Sequence, residues 1–422
     1  MAVFVYNYNY YMEVFNQIFI YLALFVGLYF QVFMILTYFV WPKKEKNLMI
    51  TDSILLPTVS IIVPCFNEGN TVEKTMHSLL ALDYPKEKLD IVVIDDGSTD
   101  NTWEVVQQFK DNPQVRLFHK ENEGSKFAAL NFALDLISTE IVGCLDADSS
   151  VDSQALRHSV QFFKNDENVS AVIPAMTIDN PKNILQYMQK VEYEMITFSK
   201  KVFHDLESIY VAPGPFALFR KEVFDTLGYY KEAHHTEDLE ITFRILMSGK
   251  KVAFSSESYV YTVAPRKLIP LIKQRVRWMY GFIKNMLDYK FLLFKTDYKH
   301  IGILVLPANI FGILSVLILV PLIAYSLIKS IYFFIEKTIV TGWIPGHVGA
   351  SSWFFIDTRP EAIIRILTIV ILITTIFLGR SILKKKYLSW DILAILIYPY
   401  ISIIWTVKAI WNAIRSKKSA WR

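Results

Sequence analysis

Ile91-Val92-Val93-Ile94-Asp95-Asp96-Gly97-Ser98-Thr99-Asp100 is the stretch whose reading decides the fold. Its first four residues are apolar without alternation, as in a strand buried on both faces, and the acids and glycine that follow turn the chain out into solvent. Ser98 or Thr99 is placed to cap a helix running through Val105, Val106 and Phe109. The same unit precedes it. Val59 to Val63 reads as a strand closing on Pro64-Cys65-Phe66-Asn67-Glu68, and the spacing from Thr71 to Leu82 is helical, with Val72, Met76, Leu79 and Leu80 inward. The unit also recurs downstream: Val115 to Phe118 leads through Gly124-Ser125-Lys126 into a helix from Phe127 to Ile137, and Ile141 to Leu145 ends in Asp146-Ala147-Asp148. Such alternation predicts an α/β fold around a mostly parallel sheet with helices on both faces.

In sheets of this kind ligands bind beyond the carboxyl ends of the strands. Those ends carry Glu68, Asp96, Lys126, Asp146 and Asp148. Asp146 and Asp148 are two residues apart, so in extended chain their carboxylates point the same way. Two hard oxygen ligands suit Mg²⁺ or Mn²⁺, which share such sites with substrate phosphates. No G-x-x-x-x-G-K-[ST] loop is present and no G-x-G-x-x-G follows a strand, which argues against P-loop and Rossmann dinucleotide chemistry. A nucleoside diphosphate-sugar held through metal and carboxylates is the natural ligand class.

The rest of the chain is too apolar for a soluble domain, with 53% hydrophobic and 15% aromatic residues. Val14 to Trp41 is apolar and uncharged and exceeds the roughly 20 residues a bilayer requires. Glu13 is the one charge before it, and Trp41-Pro42-Lys43-Lys44 follows, which is unlike a cleaved signal peptide. Lys43, Lys44 and Lys46 place its exit in the cytoplasm, and with it everything to about residue 295. Ile301 to Ile335 and Ile363 to Leu383 are long enough to span. Trp343-Ile344-Pro345-Gly346, with Lys337 and Arg359 as the only basic residues, then fall in an external loop, with Arg380, Lys384, Lys385 and Lys386 back inside. Ile392 to Ile414, broken by Pro399 and flanked by Arg415, Lys417 and Lys418, reads either as a further crossing or as a re-entrant hairpin.

These readings divide the chain into an N-terminal membrane helix (1–42), a cytoplasmic α/β domain (43–265), interfacial amphipathic helices (266–300) and a C-terminal membrane region (301–422). The net charge of +4 points to no nucleic-acid partner. Cys65 and Cys144 read as packed thiols, consistent with a reducing compartment.

Gln274, Arg277 and Trp278 stand at i, i+3 and i+4 on a helix, with Arg275 and Val276 directed elsewhere. An indole is a platform for the apolar face of a sugar, and an arginine pairs with diphosphate. Pro64-Cys65-Phe66-Asn67-Glu68, Asp95-Asp96-Gly97-Ser98, the D-x-D pair, Thr236-Glu237-Asp238 and Gln274-Arg275-Val276-Arg277-Trp278, in this order, resemble membrane-bound family 2 glycosyltransferases. The layout is most similar to poly-N-acetylglucosamine synthases, and more distantly to cellulose and hyaluronan synthases.

The resemblance implies a GT-A type domain in which Glu68 and Asp96 hold the uridine end of a UDP-sugar donor and Lys126 lies near the nucleotide. Asp146 and Asp148 position Mg²⁺ or Mn²⁺ with the diphosphate. It implies Asp238 as general base, with Glu237 supporting it, and Gln274, Arg277 and Trp278 at the acceptor or product. His234 and His235 read as polar groups beside this site, not as metal ligands. Ala212-Pro213-Gly214-Pro215-Phe216 stands where relatives often carry Ser-Gly, which leaves the acceptor open.

The expected function is processive, inverting β-glycosyl transfer in the plasma (inner) membrane, with UDP-N-acetylglucosamine as donor, a growing glycan as acceptor and membrane lipid around it. A non-processive enzyme adding one sugar to a lipid acceptor is the alternative. A non-catalytic glycan-binding or transport subunit is disfavoured because each acidic position is filled. Whether a small membrane accessory subunit takes part is left open by the sequence.

Overall fold

In the strands that decide the fold, alternate side chains feed two different cores. Val59, Ile61, Val63, Ile91 and Val93 enter one hydrophobic cluster, while Ile62, Val92 and Ile94 enter another on the opposite face of the sheet. Both faces are therefore covered, which explains why these strands read as continuous apolar runs and not as alternation.

The computed structural model describes residues 2–41, 56–341, 360–385 and 391–415. Lys43, Lys44, Lys46, Trp343-Ile344-Pro345-Gly346, Arg359, Lys386, Lys417 and Lys418, on which the expected topology leans, lie outside the described residues.

After helix α1 (Ala2–Val40) the chain alternates β1 (Val59–Cys65), α2 (Val72–Leu80), β2 (Leu89–Asp96), α3 (Thr102–Gln107), β3 (Val115–Lys120), α4 (Lys126–Asp135) and β4 (Ile141–Cys144). There follow β5 (Ser149–Val151), α5 (Ala155–Asn165), β6 (Val169–Ile178), α6 (Ile184–Asp205), β7 (Ala217–Arg220), α7 (Lys221–Leu227), α8 (Glu237–Met247) and β8 (Lys251–Thr262). The strands form one sheet in the order β3-β2-β1-β4-β7-β6-β8-β5. β1 pairs in parallel with β2 and β4, β2 with β3, and β6 with β8; β7 runs antiparallel to β4 and β6, and β5 to β8. The first three strands step one way and β4 returns to the other side of β1, so a topological switch point lies between β1 and β4. Gly143 in β4 sits where a Cβ would come within 2.6 Å of both Ile61 and Leu218.

The expected Ser98 or Thr99 cap is corrected. Asn101 precedes α3 and makes no side-chain capping bond, Ser98 Oγ donates to Asp95 Oδ1 at 2.5 Å instead, and the Thr102 amide at the helix start is met by Asp100 Oδ1 at 3.0 Å. Cys65 and Cys144 are buried free thiols.

Beyond β8 come α9 (Leu268–Asp288), a π-helical turn at Ile301–Val305, α10 (Leu306–Thr341), α11 (Pro360–Ile382) and α12 (Asp391–Ile414). The chain divides into two compact units, Met1–Thr37 with Ala308–Thr375 and Tyr38–Pro307 with Ile376–Arg422. Among the described residues two helices are long and apolar enough to cross a membrane, at Gln17–Val40 and Ile301–Ile318, and Ile366–Ile382 is a shorter apolar helix. In the second of these units α12 runs as one helix through Pro399 and packs against α9 and α6.

Candidate active site

The β1 and β2 ends are tied together by their loops. Asn67, at φ 56, accepts at Oδ1 from the Thr99 amide at 2.8 Å, and its own amide donates to Ser98 Oγ at 2.9 Å. Glu68 follows. Its amide donates to Thr102 Oγ1 at 2.8 Å, and its Oε2 accepts from Thr71 Oγ1 at 2.6 Å. The β2–β3 register sets Asp95 opposite His119 and Asp96 opposite Lys120. Both pairs are joined by their side chains, His119 Nδ1 to Asp95 Oδ2 at 2.7 Å and Lys120 Nζ to Asp96 Oδ1 at 2.9 Å. Gly97, at φ 69, lies where a Cβ would stand 2.8 Å from the Asn122 amide nitrogen, so an L side chain would be strained and crowded there.

The β4 end holds the densest charge. Lys126, the first residue of α4, is ion-paired with Asp146 Oδ1. Burial alone would depress the Lys126 ammonium, but Asp146, with Cys144 and Glu237, holds it well above its ordinary value. Gly214 packs over this pair, and a Cβ there would lie 2.5 Å from Lys126 Nζ and 3.3 Å from Asp146 Oδ1. Within the unusual Ala212–Phe216 segment it is thus Gly214 that lies against the Lys126–Asp146 pair. Asp148 accepts from Ser149 Oγ at 3.1 Å, and burial, Asp146 and Glu68 together push its carboxyl up to about 6. Among the described residues no three His, Cys, Asp or Glu side chains are grouped to hold a metal. What the chain supplies is a crowded carboxylate pair, a donor set that fits Mg²⁺ or Mn²⁺ completed by phosphate oxygens and water.

Thr236 is the N-cap of α8, so Glu237 and Asp238 occupy its first turn, where the helix dipole favours negative charge. The two residues before it, His234 and His235, have φ 54 and φ 65, a backbone conformation that non-glycine residues adopt at a cost. This kink delivers Glu237 and Asp238 toward Lys126. Burial and the neighbouring Glu237 push Asp238 up to about 7, while Lys126 and the Leu239 amide, 2.9 Å from Asp238 Oδ1, oppose the shift. A cavity of about 200 Å³ lies beside these groups, lined in part by Ser125, Lys126, Phe127, His235 and Glu237. His234 is bonded to Asp288 at 2.9 Å.

Gln274, Arg277 and Trp278 lie half-buried on α9. The expectation that Arg275 is directed away from this group is corrected. Its guanidinium lies 4.6 Å from the Trp278 ring centroid, since i and i+3 share a helix face as i and i+4 do, and its Nη2 is 2.5 Å from Glu192 Oε2. Tyr398 of α12 donates to the same Glu192 oxygen at 2.9 Å.

The structure brings Asp146, Lys126, Glu237 and Asp238 together, with Asp148 and Glu68 close enough to repel each other; Asp96 is held apart in its pair with Lys120. Sequence reading missed His119 and Lys120, which aligning the ends of β2 and β3 would have found. It singled out the segment holding Gly214 without its contact to Lys126 and Asp146, and it missed Glu192, Gly281 and Asn285, whose partners are remote in sequence and leave no local signal.

A mostly parallel sheet with acids at the carboxyl ends of β1, β2 and β4, flanking a topological switch, is the GT-A glycosyltransferase fold. The chain belongs to glycosyl transferase family 2, whose model matches residues 60–228. A poly-beta-1,6-N-acetyl-D-glucosamine synthase of Staphylococcus epidermidis is 28% identical over 365 residues, 83% of this chain and 87% of that protein. Its counterpart in Staphylococcus aureus (strain MSSA476) is 30% identical over 291 residues, 68% of this chain and 69% of that one. Among solved structures, a mannosyltransferase of Pyrobaculum calidifontis in complex with GDP-Man and Mn²⁺ superposes with a TM-score of 0.63 at 20% identity, covering 95% of this chain and 99% of that chain. That likeness speaks to the fold.

Proposed function

We propose that the protein is an inverting, processive β-glycosyltransferase of the plasma membrane that polymerises N-acetylglucosamine from UDP-N-acetylglucosamine and passes the glycan outward. The observation that carries this reading is the gathering of Asp146, Lys126, Glu237 and Asp238 beside one cavity, on a chain similar to poly-β-1,6-N-acetylglucosamine synthases over most of its length.

In this reading the donor's diphosphate lies over the β4 end, with Asp146 and Asp148 as ligands of Mg²⁺ or Mn²⁺. The bound ion would neutralise charge developing on the leaving diphosphate. Lys126, kept charged by Asp146, adds a fixed positive group on the same side. Asp238 takes the proton of the acceptor hydroxyl as its oxygen bonds to the anomeric carbon, and the bond to the diphosphate breaks with its electron pair leaving on UDP. A carboxylate raised to about 7 is well matched to that task near neutral pH. Trp278 offers its indole as the platform for the acceptor sugar, and Arg277 accompanies it. The apolar helices at Gln17–Val40 and Ile301–Ile318 serve as membrane crossings.

The test is an assay of membranes carrying the protein against a panel of UDP-sugars, with released UDP and product size as readouts. UDP release and high-molecular-weight glycan with UDP-N-acetylglucosamine support the proposal. Release of UDP with only lipid-extractable monosaccharide adducts would replace it by single-sugar transfer to lipid.

A further inference from the structure

Helix α9 carries more than the acceptor motif. Gln274, Trp278, Gly281 and Asn285 follow at i, i+4, i+7 and i+11, which is one stripe along the helix. The two downstream members of this stripe are pressed against the residues that lead into Glu237 and Asp238. Asn285 is 1% exposed, and its amide nitrogen lies 2.9 Å from Thr236 Oγ1, 3.1 Å from the Ala233 carbonyl and 3.0 Å from the Gly281 carbonyl. Thr236 Oγ1 in turn donates to the Ala233 carbonyl at 2.9 Å. Gly281 has no side chain because none fits: a Cβ would stand 2.4 Å from Thr236 Oγ1 and 3.0 Å from the His234 carbonyl oxygen. Two further contacts close the seam, His234 to Asp288 and the Tyr289 hydroxyl to Glu240 Oε1 at 2.6 Å.

We infer that Asn285 and Gly281 are positioning residues that fix the distance between the acceptor platform at Trp278 and the base at Asp238. Trp278 is three residues before Gly281, about 4.5 Å along the helix axis. Thr236, against which Gly281 packs, is two residues before Asp238. A helix is stiff over one turn, so the spacing of platform and base is set where α9 meets the approach to α8, and the buried part of that seam is the Gly281–Thr236–Asn285 contact. A buried amide donating to the Thr236 hydroxyl and the Ala233 carbonyl holds the left-handed His234–His235 kink in place, where the backbone would otherwise relax. An error of about 1 Å between reacting groups is enough to cost on the order of 10²-fold in rate.

This inference rests on the proposed transfer reaction with Asp238 as base. It predicts a change in partition, not only in rate. If α9 shifts relative to α8, the acceptor hydroxyl no longer meets the donor, while Asp238 can still take a proton from water. Water's oxygen then bonds to the anomeric carbon, the diphosphate leaves as UDP, and free sugar is the product.

The experiment compares full-length wild type, Asn285→Ala and Gly281→Ala in membranes, measuring UDP release, glycan and free sugar together. Both variants should lose transfer about tenfold or more, while the ratio of free sugar to incorporated sugar rises at least about threefold. That ratio does not depend on how much protein is folded, and Gly281→Ala leaves each hydrogen-bonding group in place while pushing the elements apart. A fall in transfer and hydrolysis by the same factor in both variants would overturn the positioning role. Wild-type membranes that release no UDP from any UDP-sugar would instead sink the proposed reaction itself.

Discussion

Asp238 is where burial and like charge act in the same direction, and the consequence is a carboxyl that titrates near neutrality. Its pKa is pushed up to about 7, so below that pH the base is protonated and unable to accept a proton. Transfer activity should therefore fall as pH drops through about 7, with a slope of one proton, and a pH–rate profile with the acid limb near 4 would contradict this origin. Asp238→Asn keeps the size of the side chain but removes the base. It should lower transfer about 10²–10⁴-fold while UDP binding by calorimetry stays within about twofold. Asp148 makes a different prediction. Its carboxyl, at about 6, is raised by burial and by Asp146 and Glu68, so a cation between these groups relieves the repulsion. Mn²⁺-dependent UDP binding should weaken as pH falls below about 6, and Asp148→Ala should weaken it at pH 7 also; binding that ignores both changes would remove Asp148 as a ligand.

At the scale of elements, the first half of the sheet was legible because its strands are apolar runs that end in polar turns, with β1, β2 and β4 buried and β3 partly exposed at the edge. Val59, Ile91, Val115 and Ile141 each begin a stretch that the structure carries as a strand. The second half was not, because β5 to β8 depend on pairings such as β6 with β8, which a local pattern does not encode. The same limit applied to side chains. The grouping of the D-x-D pair at a strand end could be read from spacing, whereas Glu192 beneath Arg275 could not, since the partners are on α6 and α9. This pair yields its own prediction. Arg275 is 7% exposed and stacks on Trp278, so it fixes the indole from one side. Glu192→Gln retains packing but weakens the hold on the guanidinium. Acceptor-dependent rate should drop several-fold with the KM for the UDP-sugar unchanged. A rise in donor KM alone would place Arg275 with the nucleotide instead.

For the catalytic unit as a whole, α6 acts as the hub through two carboxylates two residues apart. Glu192 takes Arg275 of α9 and Tyr398 of α12, and Glu194, fully buried, takes Arg380 near the end of α11 at 2.8 Å. Lys385 lies 3.5 Å from the other Glu194 oxygen. Gly379 allows this approach, because a Cβ there would stand 2.0 Å from the Glu194 carbonyl oxygen. A buried carboxylate deprived of its partner costs about 3–5 kcal/mol, whereas an exposed pair contributes about 1 kcal/mol or less. Lys74 with Asp179 is such an exposed pair on the same unit, with side chains 62% and 40% exposed. Arg380→Ala should therefore lower the unfolding temperature in detergent by many degrees, and Lys74→Ala should leave it nearly unchanged. If the Arg380–Glu194 contact also keeps the end of α11 docked on α6 during the proposed polymerisation, Arg380→Ala protein assayed below its melting temperature should make shorter product at an undiminished initial rate of UDP release. Full-length product from that variant would limit the pair to stability alone.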